Sequence, residues 1–154
     1  MGRQNGRMGF TTALIRSAFL VNAAYARSGR EFGVTPQQGQ LLSILRGRPY
    51  GMTELGTVLG LAKSSVTGLV DRTERGGLVR REPDPDDSRA VRVALTPHGG
   101  ELAERFYTET HRRIEQLPGS LSAAELETLT DLLARVVDDH DVSAIFMEAD
   151  DSPR

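Results

Sequence analysis

The chain contains no cysteine. That single absence excludes a disulfide framework, thiolate zinc sites, thiol-based redox sensing and cysteine nucleophiles together. Long apolar runs are missing too. Crossing a bilayer takes about 18 consecutive apolar residues, and the nearest stretch, Ala13 to Ala26, is interrupted by Arg16, Ser17 and Asn22. The basic N-terminus is followed by no uninterrupted apolar segment and no small-residue cleavage site, so a cytoplasmic protein without membrane contact is expected. There is no glycine-rich phosphate loop, no Gly-x-Ser-x-Gly and no histidine paired with a nucleophile in a recognisable motif. The carboxylates fall on helix faces, where solvation accounts for them, so neither an enzyme nor a cofactor is expected.

Neither sign of charge dominates the total, which is −2. Its distribution is uneven. Residues 1–52 carry seven Arg against one Glu, residues 53–96 seven basic against seven acidic groups, and residues 97–154 five basic against thirteen acidic. A basic front and an acidic tail are compatible with a polyanion on one face, although acidic tails often serve only solubility. With 38% hydrophobic and 26% charged residues, the 154-residue chain is long enough for one compact domain or two co-folded lobes.

What is present is punctuation. Residues 1–7 and 148–154 read as disordered ends. Phe10, Leu14, Ala18, Val21 and Tyr25 recur at three and four residues, a helix face closed by Gly29 or Gly33. Thr35, Pro36 and Gln38 form a capping box for a second helix carrying Leu41, Leu42, Ile44 and Leu45. Thr53 reads as the cap of a short third helix from Glu54 to about Gly60, supporting a helix-turn-helix. Leu61 and Ala62 then turn into a fourth helix whose Val66, Leu69, Val70 and Thr73 sit at i, i+3, i+4 and i+7, with Gly76-Gly77 as its stop.

The period then changes from helical to alternating. Leu78–Glu82 and the strand with Val91, Val93 and Leu95 flank Pro83-Asp84-Pro85-Asp86-Asp87-Ser88, so the pair reads as a hairpin with a long tip. Thr96-Pro97 opens a fifth helix with Leu102, Phe106, Ile114 and Leu117 inward. Ser122 and Glu125 box the start of a sixth, expected to run to about Met147. The fold class is therefore mainly α with a small β-hairpin wing: a winged helix-turn-helix over residues 35–96, with residues 8–32 and 97–147 as a helical dimerisation region.

The fourth helix is chemically unusual. With its apolar stripe buried, Lys63, Ser64, Ser65, Thr67, Gly68, Asp71, Arg72 and Arg75 face outward. Ordinary surface helices favour Glu, Lys and Ala, whereas Ser-Ser, Thr and Gly permit close approach to a major-groove edge. Their hydroxyls and the free N–H groups of the first turn can bind phosphate or bases, and Arg72 and Arg75 can reach phosphates or guanine. A capped, solvent-facing helix would look similar in isolation. The hairpin adds Arg80, Arg81, Arg89 and Arg92, with Arg89 best placed for a minor groove and Asp87 two residues before it as a brace. The acidic run at Asp84, Asp86 and Asp87 begins like a calcium loop but has Leu95 where the closing glutamate belongs, so it reads as a turn whose carboxylates cap amides. His98, His111 and His140 are too dispersed for a zinc site, and no metal is expected.

The terminal helices carry more apolar surface than a winged helix can cover, and a second copy is the simplest cover. A two-fold homodimer would present two reading helices to successive major grooves of double-stranded DNA. A monomeric helical fold, and a winged helix that binds a ligand or protein without reading DNA, are the alternatives. Arg16, Asn22 and Gln40 are polar positions on otherwise apolar helices and are candidate ligand contacts, equally readable as surface residues.

Lys63-Ser64-Ser65-Val66-Thr67-Gly68-Leu69-Val70-Asp71-Arg72 resembles the recognition helix of the MarR (multiple antibiotic resistance regulator) family. Asp86-Asp87-Ser88-Arg89-Ala90-Val91-Arg92-Val93-Ala94-Leu95-Thr96-Pro97-His98-Gly99 is similar to its wing and following helix. The Asp-x-Arg of Asp87 and Arg89, before an alternating strand ending in Leu-Thr, is the most specific element, and the resemblance spans roughly residues 8–147. It implies an intertwined homodimer on a palindromic site, usually a repressor, often released by a small aromatic acid, phenolic, antibiotic or other metabolite bound where the dimer and DNA-binding lobes meet. By that resemblance Arg89 is the minor-groove residue, Asp87 its partner, and Ser64, Ser65, Thr67, Gly68 and Arg72 line the major groove. Many members carry Arg where Gly68 stands, which shifts base reading here toward hydroxyls, backbone and Arg72.

Overall fold

Local capping accounts for most of the element boundaries. The computed structural model describes residues 7–140, among which six helices and three strands occur in the order α1 (Phe10–Phe32), α2 (Pro36–Leu45), β1 (Tyr50–Gly51), α3 (Met52–Leu59), α4 (Lys63–Arg75), β2 (Val79–Pro83), β3 (Val91–Leu95), α5 (Pro97–Glu115) and α6 (Ala123–Asp138). Thr35 and Gln38 close a reciprocal box at α2, Thr96 caps α5 through the Gly99 N–H, and Ser122 with Glu125 boxes α6. The turn between α3 and α4 depends on Gly60, whose φ of 64° lies in the left-handed region that a side chain disfavours.

Around residue 50 the structure differs from the sequence reading. A third strand, β1, joins the hairpin as an antiparallel sheet of order β1-β3-β2, with Tyr50 opposite Val93 and Gly51 opposite Arg92. A two-residue strand carries no alternation to detect. Because that pairing ends at Gly51, α3 starts at once: Gly51 is its N-cap, and Thr53 lies exposed inside the first turn rather than capping it. Thr53 instead offers its carbonyl to the Thr57 hydroxyl at 3.3 Å. The last part of the expected sixth helix, to Met147, and all but Arg7 of the expected disordered ends lie outside the described residues.

One core serves the middle of the chain. Leu41, Leu42, Ile44 and Leu45 of α2 meet Leu55 of α3, Val66, Leu69 and Val70 of α4, Val79 and Val93 of the sheet, and Ala103 of α5. The four α4 residues expected inside, Thr73 included, are its buried residues. Phe106 on α5 is fully buried and stands edge-on or tilted to Tyr25 and Phe32 of α1. Between α2 and α5, Arg46 bonds both oxygens of Glu104, at 2.8 and 3.1 Å, and lies 3.6 Å over the Tyr107 ring. The ring face gives its buried Nη1, which has no hydrogen-bond acceptor among the described residues, an electrostatic partner.

The terminal helices behave differently. Helix α1 buries only Ala24, Ser28 and Gly29, and α6 buries nothing. The expected inward stripe of α1 is thus corrected: Phe10, Leu14 and Ala18 are exposed, because none of the described residues covers that part of the helix. On α5, Phe106 is buried as expected, while Leu117, expected to face inward on the same helix, lies past its end at Glu115 and is 42% exposed.

Candidate nucleic-acid interface

Helix α4 presents one polar face. Lys63, Ser64, Ser65, Thr67, Arg72 and Arg75 are exposed and Gly68 is half-buried. Ala62 supplies no side-chain cap, so the helix start is left without the side-chain acceptor that would shield its first N–H groups. The hydroxyls of Ser64 and Ser65 have no partner among the described residues, while Thr67 donates back to the Lys63 carbonyl at 3.0 Å. The Arg72 guanidinium folds back over Gly68: a Cβ built there would sit 3.3 Å from its Nη1. The absence of a side chain at 68 is what makes room for that conformation.

The wing arginines divide into two groups. Arg89, at the exposed tip, forms no ion pair among the described residues, nor do Lys63, Arg72 and Arg75. The other three are engaged. Arg81 bonds Glu74 and, at 2.6 Å, Asp71, both on α4. Arg80 and Arg92 share Glu82, at 3.2 and 2.6 Å, and Arg80 also donates to the Leu95 carbonyl at 3.0 Å. Hydrogen bonding from Arg92, then Arg80, holds the Glu82 carboxyl below the usual carboxylate range, and donation to Asp71 raises the Arg81 guanidinium above its own.

The tip is organised by carboxylates acting on backbone. Asp87 accepts from the Arg89 N–H at 3.0 Å and Asp84 from the Asp86 N–H at 2.8 Å, while Asp84 N–H reaches the Ala90 carbonyl to continue the hairpin. Asp87 therefore braces Arg89 through its main chain, leaving the guanidinium outward. Among the described residues, no three His, Asp or Glu side chains gather as a metal site.

Sequence reasoning passed over Asp71, Glu74 and Glu82 as partners. The signal existed in part: Asp71 and Glu74 are an i, i+3 pair on one side of a helix, and Glu82 stands directly opposite Arg92 once the register is known. The candidate ligand contacts are not brought together: Arg16 and Asn22 are exposed on α1, and Gln40 is half-buried on α2. A groove of about 530 Å³ between α1, the end of α5 and α6 is lined instead by Ser17, Leu20, Val21, Ile114, Leu129 and Leu133, among others.

A profile of the MarR family matches residues 32–90. The chain is 34% identical over 110 residues to the uncharacterized HTH-type transcriptional regulator YkoM of Bacillus subtilis, covering 71% of each protein. It is 27% identical over 128 residues to the homoprotocatechuate degradative operon repressor of Escherichia coli, covering 82% of this chain and 86% of that one. A crystal structure of a mutant MarR from E. coli complexed with operator DNA superposes with a TM-score of 0.71 at 26% identity, covering 89% of this chain and 99% of that one. The matched profile spans the second helix through the wing tip, the segment that holds Lys63, Arg72, Arg75 and Arg89, and the identity to YkoM extends over most of the chain. This chain belongs to the MarR family.

Proposed function

We propose that the chain is a cytoplasmic transcriptional repressor that binds a palindromic double-stranded operator as a homodimer. The observation that carries this is the exposed polar face of α4, with its hydroxyls, Lys63, Arg72 and Arg75, together with the exposed wing-tip Arg89: four cations with no carboxylate partner among the described residues. Ser64, Ser65, Thr67, Gly68 and Arg72 are the major-groove set in this reading, and Arg89 enters the minor groove. An enzymatic role has no support in this arrangement, and among the described residues no helix is long and apolar enough to cross a membrane.

The dimer reading rests on exposed apolar surface. Of the exposed large hydrophobics among the described residues, all but Val91 lie on or beside α1 or from Leu117 through α6. A monomer would leave that surface to water at about 25 cal/mol per Å². Residues 8–32 and 97–147 are accordingly the dimerisation region and 35–96 the reading lobe. Release by a small aromatic or phenolic ligand follows from the family resemblance, and Arg16, Asn22 and Gln40 remain its proposed contacts.

Fluorescence anisotropy with a duplex from the chain's own upstream region, against a scrambled duplex across a salt series, tests the reading. Specific, steeply salt-dependent binding to the native duplex is expected, lost in Arg89→Ala and Arg72→Ala while the variants stay folded and dimeric. Unaltered binding by both variants would refute the assignment. Isothermal calorimetry with aromatic acids and phenols tests the ligand, and absence of heat with every one of them would remove it.

A further inference from the structure

We propose that Arg81 is a positioning residue: it latches the wing onto the reading helix, so that the α4 face and Arg89 meet DNA as one rigid surface. This rests on the DNA-binding reading above.

Three bonds from this one residue converge on α4. Its guanidinium takes Asp71 and Glu74, and its backbone N–H donates to Glu74 Oε1 at 3.0 Å. Among the described residues strand β2 is an edge strand, paired on one side to β3. The Arg81 N–H is on its open side, where an unpaired amide would face water, and the Glu74 carboxylate closes it. The same carboxylate holds the side chain, so β2 cannot slide along α4 without breaking both bonds.

The electrostatics point the same way. Asp71 flanks the face that carries Gly68, Arg72 and Arg75, and a bare carboxylate there would repel phosphates. Arg81 neutralises it from below while remaining half-buried, with its fork spent on two acids. A guanidinium so engaged is poorly disposed to bind a phosphate as well. Meanwhile Glu82, clamped between Arg80 and its cross-strand neighbour Arg92, stiffens the hairpin itself. The wing is thus rigid within itself and fixed at its base, and only the Arg89 end is free.

Three functions for Arg81 are distinguishable: direct phosphate contact, masking of Asp71, and the latch. The test uses the full chain, as wild type, Arg81→Ala, and the triple variant Arg81→Ala with Asp71→Asn and Glu74→Gln. DNA affinity is read by anisotropy across a salt series, and wing dynamics by amide hydrogen exchange on the free protein. The latch requires Arg81→Ala to weaken binding by about 5- to 30-fold, the range of one or two broken interactions. It also requires an unchanged salt slope and faster exchange at residue 81 and along the hairpin, with α5 protection intact. The triple variant must remain weaker than wild type.

A salt slope reduced by about 0.9 in Arg81→Ala would mark a phosphate contact and overturn the latch. Recovery of wild-type affinity in the triple variant would make Arg81 a mask for Asp71, which also overturns it. Unchanged hairpin exchange in Arg81→Ala overturns it without reference to DNA. Should the wild type bind no duplex, the DNA reading fails while the exchange experiment still decides whether the latch exists.

Discussion

Gly39→Ala on α2 should destabilise the protein, against the trend for glycine in a helix. Replacing a helical glycine by alanine ordinarily gains about 1 kcal/mol. Here a Cβ would stand 2.0 Å from Phe106 Cζ and 2.5 and 2.7 Å from its Cε atoms, where carbon pairs need about 3.5 Å. The ring must retreat by well over an ångström, yet it is fully buried, with Tyr25 and Phe32 centroids 6.0 and 6.1 Å away on its other sides. Overpacking of this kind costs about 1–3 kcal/mol, and the depth of the clash places it at the upper end. After the propensity gain, a net loss of about 2 kcal/mol remains, or roughly 4–8 °C in Tm for a chain of this size. Gly100→Ala on α5, which meets nothing within 4 Å, is the control and should be stabilising. Urea unfolding at fixed protein concentration measures both. The combination Gly39→Ala with Phe106→Leu should cost less than the sum of its parts, because the smaller side chain vacates the contested space. An unchanged or raised midpoint for Gly39→Ala, or strict additivity in the pair, would refute the packing argument.

Three further outcomes follow from features on other elements. Leu133→Arg on α6, exposed in the single chain, should shift the protein to monomer in sedimentation velocity and weaken operator binding with it; a dimer of undiminished stability would remove α6 from the interface. Thr35→Ala should lose about 1 kcal/mol through its share of the capping box at α2, read as a lower urea midpoint. The third concerns acid. Glu54 beside Arg48, Glu82 beside Arg92, Glu109 beside Arg112 and Glu125 on the Ser122 N–H are all held below the usual glutamate range. A depressed folded pKa means the unfolded chain takes up protons first. The stabilisation is therefore whole above the ordinary glutamate value of about 4.3 and is lost as pH falls through the lower folded values. A urea midpoint that holds from pH 7 down to pH 3 would contradict it.

Much of this molecule was legible before any coordinates. Local rules were sufficient for α4, whose buried set is the one its 3.6-residue period implies, and for the boxes at Thr35 and Ser122, which need only neighbours three residues apart. The same holds for Arg89 at an exposed tip, since Pro-Asp turn chemistry forces the chain outward. What local rules could not supply was partnership. Whether Arg80, Arg81 and Arg92 are free or engaged depends on strand register and on the angle between β2 and α4, which no spacing encodes. Tyr50–Gly51 failed for the related reason that a two-residue strand exists only by virtue of its partner. The stripe on α1 misled differently: its period was right, but periodicity reports that a face will be covered, not by which molecule.

The segregation of tasks along the chain has a genetic consequence. Helices α1 and α6 carry the faces left uncovered, while the proposed reading surface, from Lys63 to Arg89, lies between them in the chain. A subunit damaged only in that middle segment keeps its full capacity to pair. Mixed with intact subunits, it would sequester them in one-armed dimers, so an allele such as Arg89→Ala should be dominant over wild type in a cell that carries both, whereas a lesion in α6, which cannot pair at all, should be recessive.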